Sequence, residues 1–153
     1  MKKILFYFTF LLLFIVGCND FCDNADCGEG ICDYGKCLCP NGYDGEYCEL
    51  LENEKFVGSY MQTSNDCEND IASTITTISI LIDTTKIPFG VRLNLRSATV
   101  ESNILGSIMD EKIEASGLFN ESTMSISGEF TTSHQLECII TIQNEECNLI
   151  FDK

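Results

Sequence analysis

The chain has 153 residues, nine basic and 24 acidic side chains, one His, ten Cys and no Trp, for a formal charge of −15. Such acidity leaves no electrostatic footprint for DNA or RNA. A lone His removes most imidazole-based metal sites and most His-dependent catalysis. Ten Cys, seven of them within the first 48 residues, point to a disulfide framework and therefore to an oxidising compartment.

The N-terminus reads as an address. Met1-Lys2-Lys3 is a short positive start, and Ile4–Val16 is apolar or aromatic except for Thr9. These are the n- and h-regions of an export signal, too short for a comfortable membrane span of about 20 residues. The run ends Ile15-Val16-Gly17-Cys18, which resembles the lipobox of bacterial lipoproteins. That resemblance implies a signal peptide over 1–17, cleavage before Cys18, diacylglycerol on the Cys18 sulfur, and a membrane partner reached through the anchor. Two or three acyl chains, at roughly 0.8 kcal/mol per buried CH₂, hold a protein stably on a bilayer. Asn19-Asp20-Phe21-Cys22-Asp23 resembles the acidic surface-export signals of Bacteroidota lipoproteins, with 18–21 as a lipidated tether. The resemblance implies residence on the outer membrane, facing outward. The mature chain 18–153 keeps seven basic and 24 acidic groups, net −17, a charge that favours solubility and disfavours anionic headgroups.

Six Cys follow at 22, 27, 32, 37, 39 and 48. Spacing alone leaves fifteen pairings open. Export and the lack of a nearby His argue against reading Cys37-x-Cys39 as a zinc site. The segment Cys37-Leu38-Cys39-Pro40-Asn41-Gly42-Tyr43-Asp44-Gly45-Glu46-Tyr47-Cys48 resembles the signature of the EGF-like domain. The short Cys32–Cys37 loop, preceded by Gly30, is similar to the compact modules of tenascins and integrin stalks. The resemblance covers 22–48 and implies bridges Cys22–Cys32, Cys27–Cys37 and Cys39–Cys48. So small a module cannot bury enough apolar surface to fold unstapled. Gly42 and Gly45 suit a tight turn with positive φ, and Tyr43 is expected to pack on the Cys39–Cys48 bridge. Asp20, Asp23, Asp26, Glu29 and Asp33 suggest calcium. The chain departs from calcium-binding EGF domains, however, in the residues before Cys22 and in its short third-to-fourth loop. No metal and no cofactor is expected.

Residues 49–55 read as an acidic linker, and 56–153 as an all-β domain. Apolar residues alternate at Ile78/Ile80/Ile82, Val91/Leu93/Leu95, Met124/Ile126 and Cys138/Ile140/Ile142, the period of half-buried strands. Strands are predicted over 56–63, 73–83, 90–96, 98–104, 111–116, 123–131, 136–143 and 147–152. Short connections such as Pro88-Phe89-Gly90, Phe119-Asn120-Glu121, Ser133-His134-Gln135 and Asn144-Glu145-Glu146 predict an antiparallel meander, closed as a barrel or folded as a sandwich. The fold class is thus mostly β, a disulfide-rich module followed by a meander. Phe56-Val57-Gly58-Ser59-Tyr60, with Cys67 and Cys147, resembles small lipocalin-like β-domains of Bacteroidota lipoproteins. Three Cys remain outside the module. Cys138 lies among Leu136, Ile139 and Ile140 as a buried thiol would, so Cys67–Cys147 is predicted as a bridge and Cys138 as free.

Chemistry is sparse. Ser133 and His134 are sequence neighbours, which promises poor geometry for a nucleophile and its base, and no nucleophile-elbow motif is present. Cys138 has no electropositive neighbour to activate it. Asp110-Glu111 and Glu145-Glu146 read as solvated turn tips. Asp83-Thr84-Thr85 resembles the O-glycosylation motif of Bacteroidota, with Thr84 as acceptor, and Asn120-Glu121-Ser122 fits the N-glycosylation pattern. The expectation is a lipid-anchored, non-enzymatic binding, adhesion or recognition module with a protein or glycan partner. The alternative is a lipocalin-like carrier of a small apolar ligand, for which a side-chain-filled interior would be the default obstacle.

Overall fold

A computed structural model describes residues 22, 26–68 and 70–153. The residues over which a signal peptide (1–17) and a lipidated tether (18–21, with Cys18 and Asp20) are expected, and Asp23, lie outside the described residues. The chain forms two compact units, one reaching to Pro40 and including Gly45–Glu49, the other comprising Asn41–Asp44 and Leu50–Lys153.

The first unit is built on one hairpin, β1 (Ile31–Asp33) and β2 (Lys36–Leu38). Tyr34 and Gly35 join the strands, both at positive φ (49° and 81°), the backbone a two-residue hairpin turn requires. Cys32 and Cys37 face each other across the pair, and each carries a bridge, Cys22–Cys32 and Cys27–Cys37; a third joins Cys39 to Cys48. Cys48 and Cys27 are buried, so sulfur takes the place of a hydrophobic core. Each bridge stabilises so small a unit by about 2–4 kcal/mol.

The second unit opens with β3 (Tyr43–Asp44) paired to β4 (Leu50–Leu51) and a 3-10 helix, Glu52–Phe56. The linker expected over 49–55 is therefore ordered structure from Leu50 onward. Phe56 is the reason: an acidic stretch reads as solvated, but it ends on a ring that the core takes up. Eight strands follow: β5 (Gly58–Asn65), β6 (Thr77–Ile82), β7 (Gly90–Arg96), β8 (Glu101–Met109), β9 (Lys112–Phe119), β10 (Ser122–Thr132), β11 (Gln135–Ile142) and β12 (Glu145–Asp152). Each pairs antiparallel with its sequence neighbour, and β12 returns to pair with β5, closing an up-and-down barrel. Closure removes the exposed edges that an open meander would leave.

Alternation does the sorting. Ile78 and Ile80, Val91, Leu93 and Leu95, Met124 and Ile126, Ile140 and Ile142, and Leu149 and Phe151 point inward and are buried. The interleaved Arg92, Glu114, Ser125, Ser127, Glu137 and Asn148 face out. Side chains fill the interior at about 1.5–3 kcal/mol for each fully buried large residue.

Both ends are plugged. At the end where β5 begins, Phe56 stacks on Phe130 with ring centroids 4.1 Å apart, and Tyr60 leans on the same ring at 5.9 Å. The Tyr60 hydroxyl donates to the carbonyls of Phe56 (2.9 Å) and Ser133 (3.2 Å), and burial pushes its pKa up to about 12. Asn53 is buried beside this plug, and among the described residues neither end of its amide has a partner, a local cost of about 1–3 kcal/mol. At the other end a short helix, α1 (Asp70–Ser73), and the turn after it place Ala72 and Ile75 in the core.

The strand predicted over 73–83 therefore starts at Thr77. β-branched Thr74, Ile75 and Thr76 favour strand locally, but the open barrel end needs Ile75 as a stopper. The strand predicted over 98–104 runs on to Met109, through Gly106. That glycine faces inward, where a Cβ would collide with the Glu114 carbonyl and Ala115, so it marks close packing rather than a break.

Three hairpin turns put two non-glycine residues in the left-handed region: Asp110-Glu111 (50°, 67°), Asn120-Glu121 (50°, 65°) and Gln143-Asn144 (55°, 70°). This is the I′ geometry that matches strand twist, and its best second residue is Gly. Glu121→Gly should raise stability by about 1 kcal/mol, read as a melting temperature higher by a few degrees; an unchanged or lower value would contradict the turn assignment.

Candidate functional site

The residues singled out for covalent chemistry fall into distinct places. Cys67 follows β5 and is bridged to Cys147 on β12, 80 residues away, with Cα atoms 4.7 Å apart. A loop of that length gives a bridge worth about 4–5 kcal/mol in chain entropy, spent on the two strands whose pairing closes the barrel. Cys138 is a free, buried thiol on the inward face of β11. Burial pushes its pKa up to about 12, so at neutral pH it has essentially no nucleophilic thiolate.

Among the open grooves of the described residues, two lie on the outer wall of the barrel over β9 and β10. The larger, about 750 Å³, crosses β9 to β12 and the end of β5. Its rim and floor include Lys112, Glu114, Ser127, Glu129, Glu137, Ile139, Asn148, Ile150 and Asp66. The second, about 520 Å³, lies over β7 to β10 beside Lys86, Phe89, Leu105, Ser107 and Ser116. Glu114 lines both. Small residues underlie much of each groove: Gly90 and the inward Gly106 and Ala115 under one, the inward Gly128 and Cys138, with the larger Leu149, under the other. A Cβ on Gly128 would sit 2.5 Å from the Cys138 Cβ. Where the inner side chains are small the strands pack close, and the outer wall is hollowed there.

Electrostatically the larger groove is acidic. Glu114, Glu129, Glu137 and Asp66 stand against Lys112 alone. Ser127 donates to Glu114 (2.7 Å). Asp66 accepts from the Asn148 backbone N–H (2.7 Å) and side-chain amide (2.8 Å), and the Asp66 N–H donates to the Asn148 carbonyl (3.1 Å). These bonds, the side-chain one foremost, hold the Asp66 pKa below its ordinary value. Ile139 leaves an apolar spot 42 % exposed in the groove. Carboxylates around an apolar spot suit a partner offering cationic or hydroxyl donors.

Ser133 and His134 differ from their sequence expectation. They occupy the β10–β11 turn, where Ser133 Oγ lies 2.8 Å from His134 Nδ1; adjacency did not prevent hydrogen-bond geometry. Among the described residues no carboxylate hydrogen-bonds the His134 ring, so the pair lacks the third, orienting group of a triad. Thr84 is exposed on the β6–β7 loop. Asp83 beneath it is buried and accepts from the Thr85 hydroxyl (2.7 Å) and N–H (3.1 Å). The hydroxyl bond is the main cause of its lowered pKa. Tyr43 is half-buried, and its backbone pairs with Leu51. Among the described residues no group of three or more His, Cys, Asp or Glu is placed to hold a metal ion.

The grooves and the Asp66–Asn148 tie were not legible in the sequence. Eighty-two residues separate those partners, and neither belongs to a motif. Gly106 and Gly128 within strand patterns were the available signal for close backbone approach. No protein-family model matches the chain, and no curated protein matches it.

Asn148→Ala should return the Asp66 pKa toward its ordinary 3.8, as read by NMR titration of the carboxyl. A lowered pKa means the tie stabilises fully above the unfolded value and is lost as pH falls through the folded one. The stability difference between wild type and variant should accordingly shrink on acidification; a difference that grows would contradict the assignment.

Proposed function

We propose that this chain is a bacterial lipoprotein of Bacteroidota type, anchored at Cys18 to the outer membrane and facing outward. In this reading an EGF-like module follows the anchor, and the barrel is a non-enzymatic recognition unit. The observation that carries recognition at the outer wall is the combination of a barrel interior filled by side chains with an acidic groove outside it. The three bridges within 22–48 support the EGF-like reading, because they join the Cys pairs that the resemblance implies. The lipobox and the acidic residues after Cys18 support the location. The groove takes a protein or glycan partner through cationic or hydroxyl donors, with Glu114, Glu129 and Glu137 as acceptors. Thr84 is the O-glycan acceptor of the Asp-Thr-Thr segment, since the Thr85 hydroxyl is engaged by Asp83.

The alternative, a carrier of a small apolar ligand, is favoured by the closed eight-stranded meander and opposed by the plugs at both ends.

Location and recognition are tested together. Protease shaving of intact cells should remove the barrel signal on a blot, while Cys18→Ser should release the chain from the membrane fraction. The immobilised chain should capture a partner from surface glycan or protein preparations, and the triple Glu114→Gln, Glu129→Gln, Glu137→Gln variant should lose it. Protection from protease until lysis would contradict the outward location. Capture that survives the triple variant would contradict the groove.

A further inference from the structure

We propose that the groove over β7 to β10 is the seat of a neutral glycan carried by this chain's own Thr84. The inference rests on the O-glycosylation of Thr84 proposed above and adds where that glycan lies.

The loop that carries Thr84 forms a wall of the groove. The Lys86 N–H donates to the Asp83 carbonyl (3.0 Å), which makes Asp83–Lys86 a tight turn with Thr84 and Thr85 in its middle. Two further backbone bonds brace the loop, from the Asp83 N–H to the Gly90 carbonyl (2.9 Å) and from the Gly90 N–H to the Lys86 carbonyl (2.7 Å). The Ile108 N–H donates to the Phe89 carbonyl (2.9 Å) and pins the loop to β8. Gly90 is the cross-strand partner of Ser107, which is exposed on the outer wall. A Cβ on Gly90 would sit 2.5 Å from the Lys86 Cβ. The loop therefore folds back over the outer wall, and Lys86, Phe89 and Gly90 line the groove. From Thr84 to Lys86 the backbone spans at most about 7 Å.

The floor suits a sugar. Register places Leu105, Ser116 and Ser125 in one row across β8, β9 and β10, and Ser107 beside Glu114 in the next. The three serines are exposed, and Leu105 is 46 % exposed. The charges that line the groove, Lys86 and Glu114, cancel. Unlike the acidic groove beside it, this one has no net charge to select an ion. Each serine hydroxyl both donates and accepts. A sugar ring offers the same two functions, together with an apolar C–H face for Leu105.

Tethering supplies what the open floor lacks. Each hydrogen bond there gains only about 0.5–1.5 kcal/mol over water, so a free sugar is held weakly. A sugar attached at Thr84 faces the groove at an effective concentration on the order of millimolar, and a weak seat is then filled.

Hydroxyl-radical footprinting of the full chain, purified from its native cells, reads the groove directly. Leu105 should be oxidised several-fold more slowly in chains that carry a glycan on Thr84 by mass spectrometry than in the unglycosylated Thr84→Val variant. Met61, exposed on β5, should be oxidised equally in both. Replacing the three hydroxyls together, Ser107→Ala, Ser116→Ala and Ser125→Ala, should restore the fast rate at Leu105 with the glycan still attached. Thr84→Asn provides a second unglycosylated chain if valine disturbs the turn. A glycosylated chain whose Leu105 is oxidised as fast as in the unglycosylated variants would overturn the seat and leave the glycan standing, and so would protection that survives the triple variant. A Thr84 without a glycan would overturn both.

Discussion

The pairing of β12 with β5 is the constraint on which the rest of the barrel depends. Joining the first and last strands satisfies the backbone groups of both and leaves no edge to solvent. Three features hold that seam. The Cys67–Cys147 bridge ties the end of one strand to the other. The reciprocal bonds between Asp66 and Asn148 lie beside it. At the opposite end Tyr60 on β5 is held by its two hydroxyl bonds and by Phe130. Filling the closed wall with large aliphatic and aromatic side chains, and stoppering it with Phe56 and Ile75, leaves chemistry to the outside.

The outside is shaped by the inside. Gly106, Gly128 and Cys138 are small where their inward neighbours along the strands are large, and Ala115 is followed on its inward face by Gly117. The grooves of the outer wall lie over these four positions. Cys138 serves this arrangement as a small apolar residue: its thiol is buried and its pKa is raised by that burial. A larger residue at 128 or 138 would push the wall outward, so packing inside the barrel and the form of the outer groove are coupled.

Most of the architecture was legible in the sequence because it depends on local alternation. Ile78/Ile80 and Val91/Leu93/Leu95 declare strand and inward face together, and Asn120-Glu121 marks its turn. What failed to show is what the closed barrel imposes from a distance. Ile75 looks like a strand residue until an open end has to be stopped, and Glu52–Phe56 looks like a solvated link until Phe56 finds Phe130. Of the candidate site, the Cys67–Cys147 bridge and the free Cys138 could be read from cysteine arithmetic. The groove could not, because its carboxylates come from three different strands and from the residue after a fourth: hairpin register sets Glu129 opposite Glu137, and closure brings Asp66 beside Asn148.

Closure is tested most directly by residue-resolved amide hydrogen exchange on the oxidised protein. If β12 pairs with β5 as described, amides in the Met61–Asn65 and Leu149–Asp152 segments that bond across the seam should exchange as slowly as those in the central ladder of β9, β10 and β11. Fast exchange confined to those two segments, with β9 to β11 still protected, would mean an open sheet. It would contradict the closed barrel and, with it, the assignment of recognition to the outer wall.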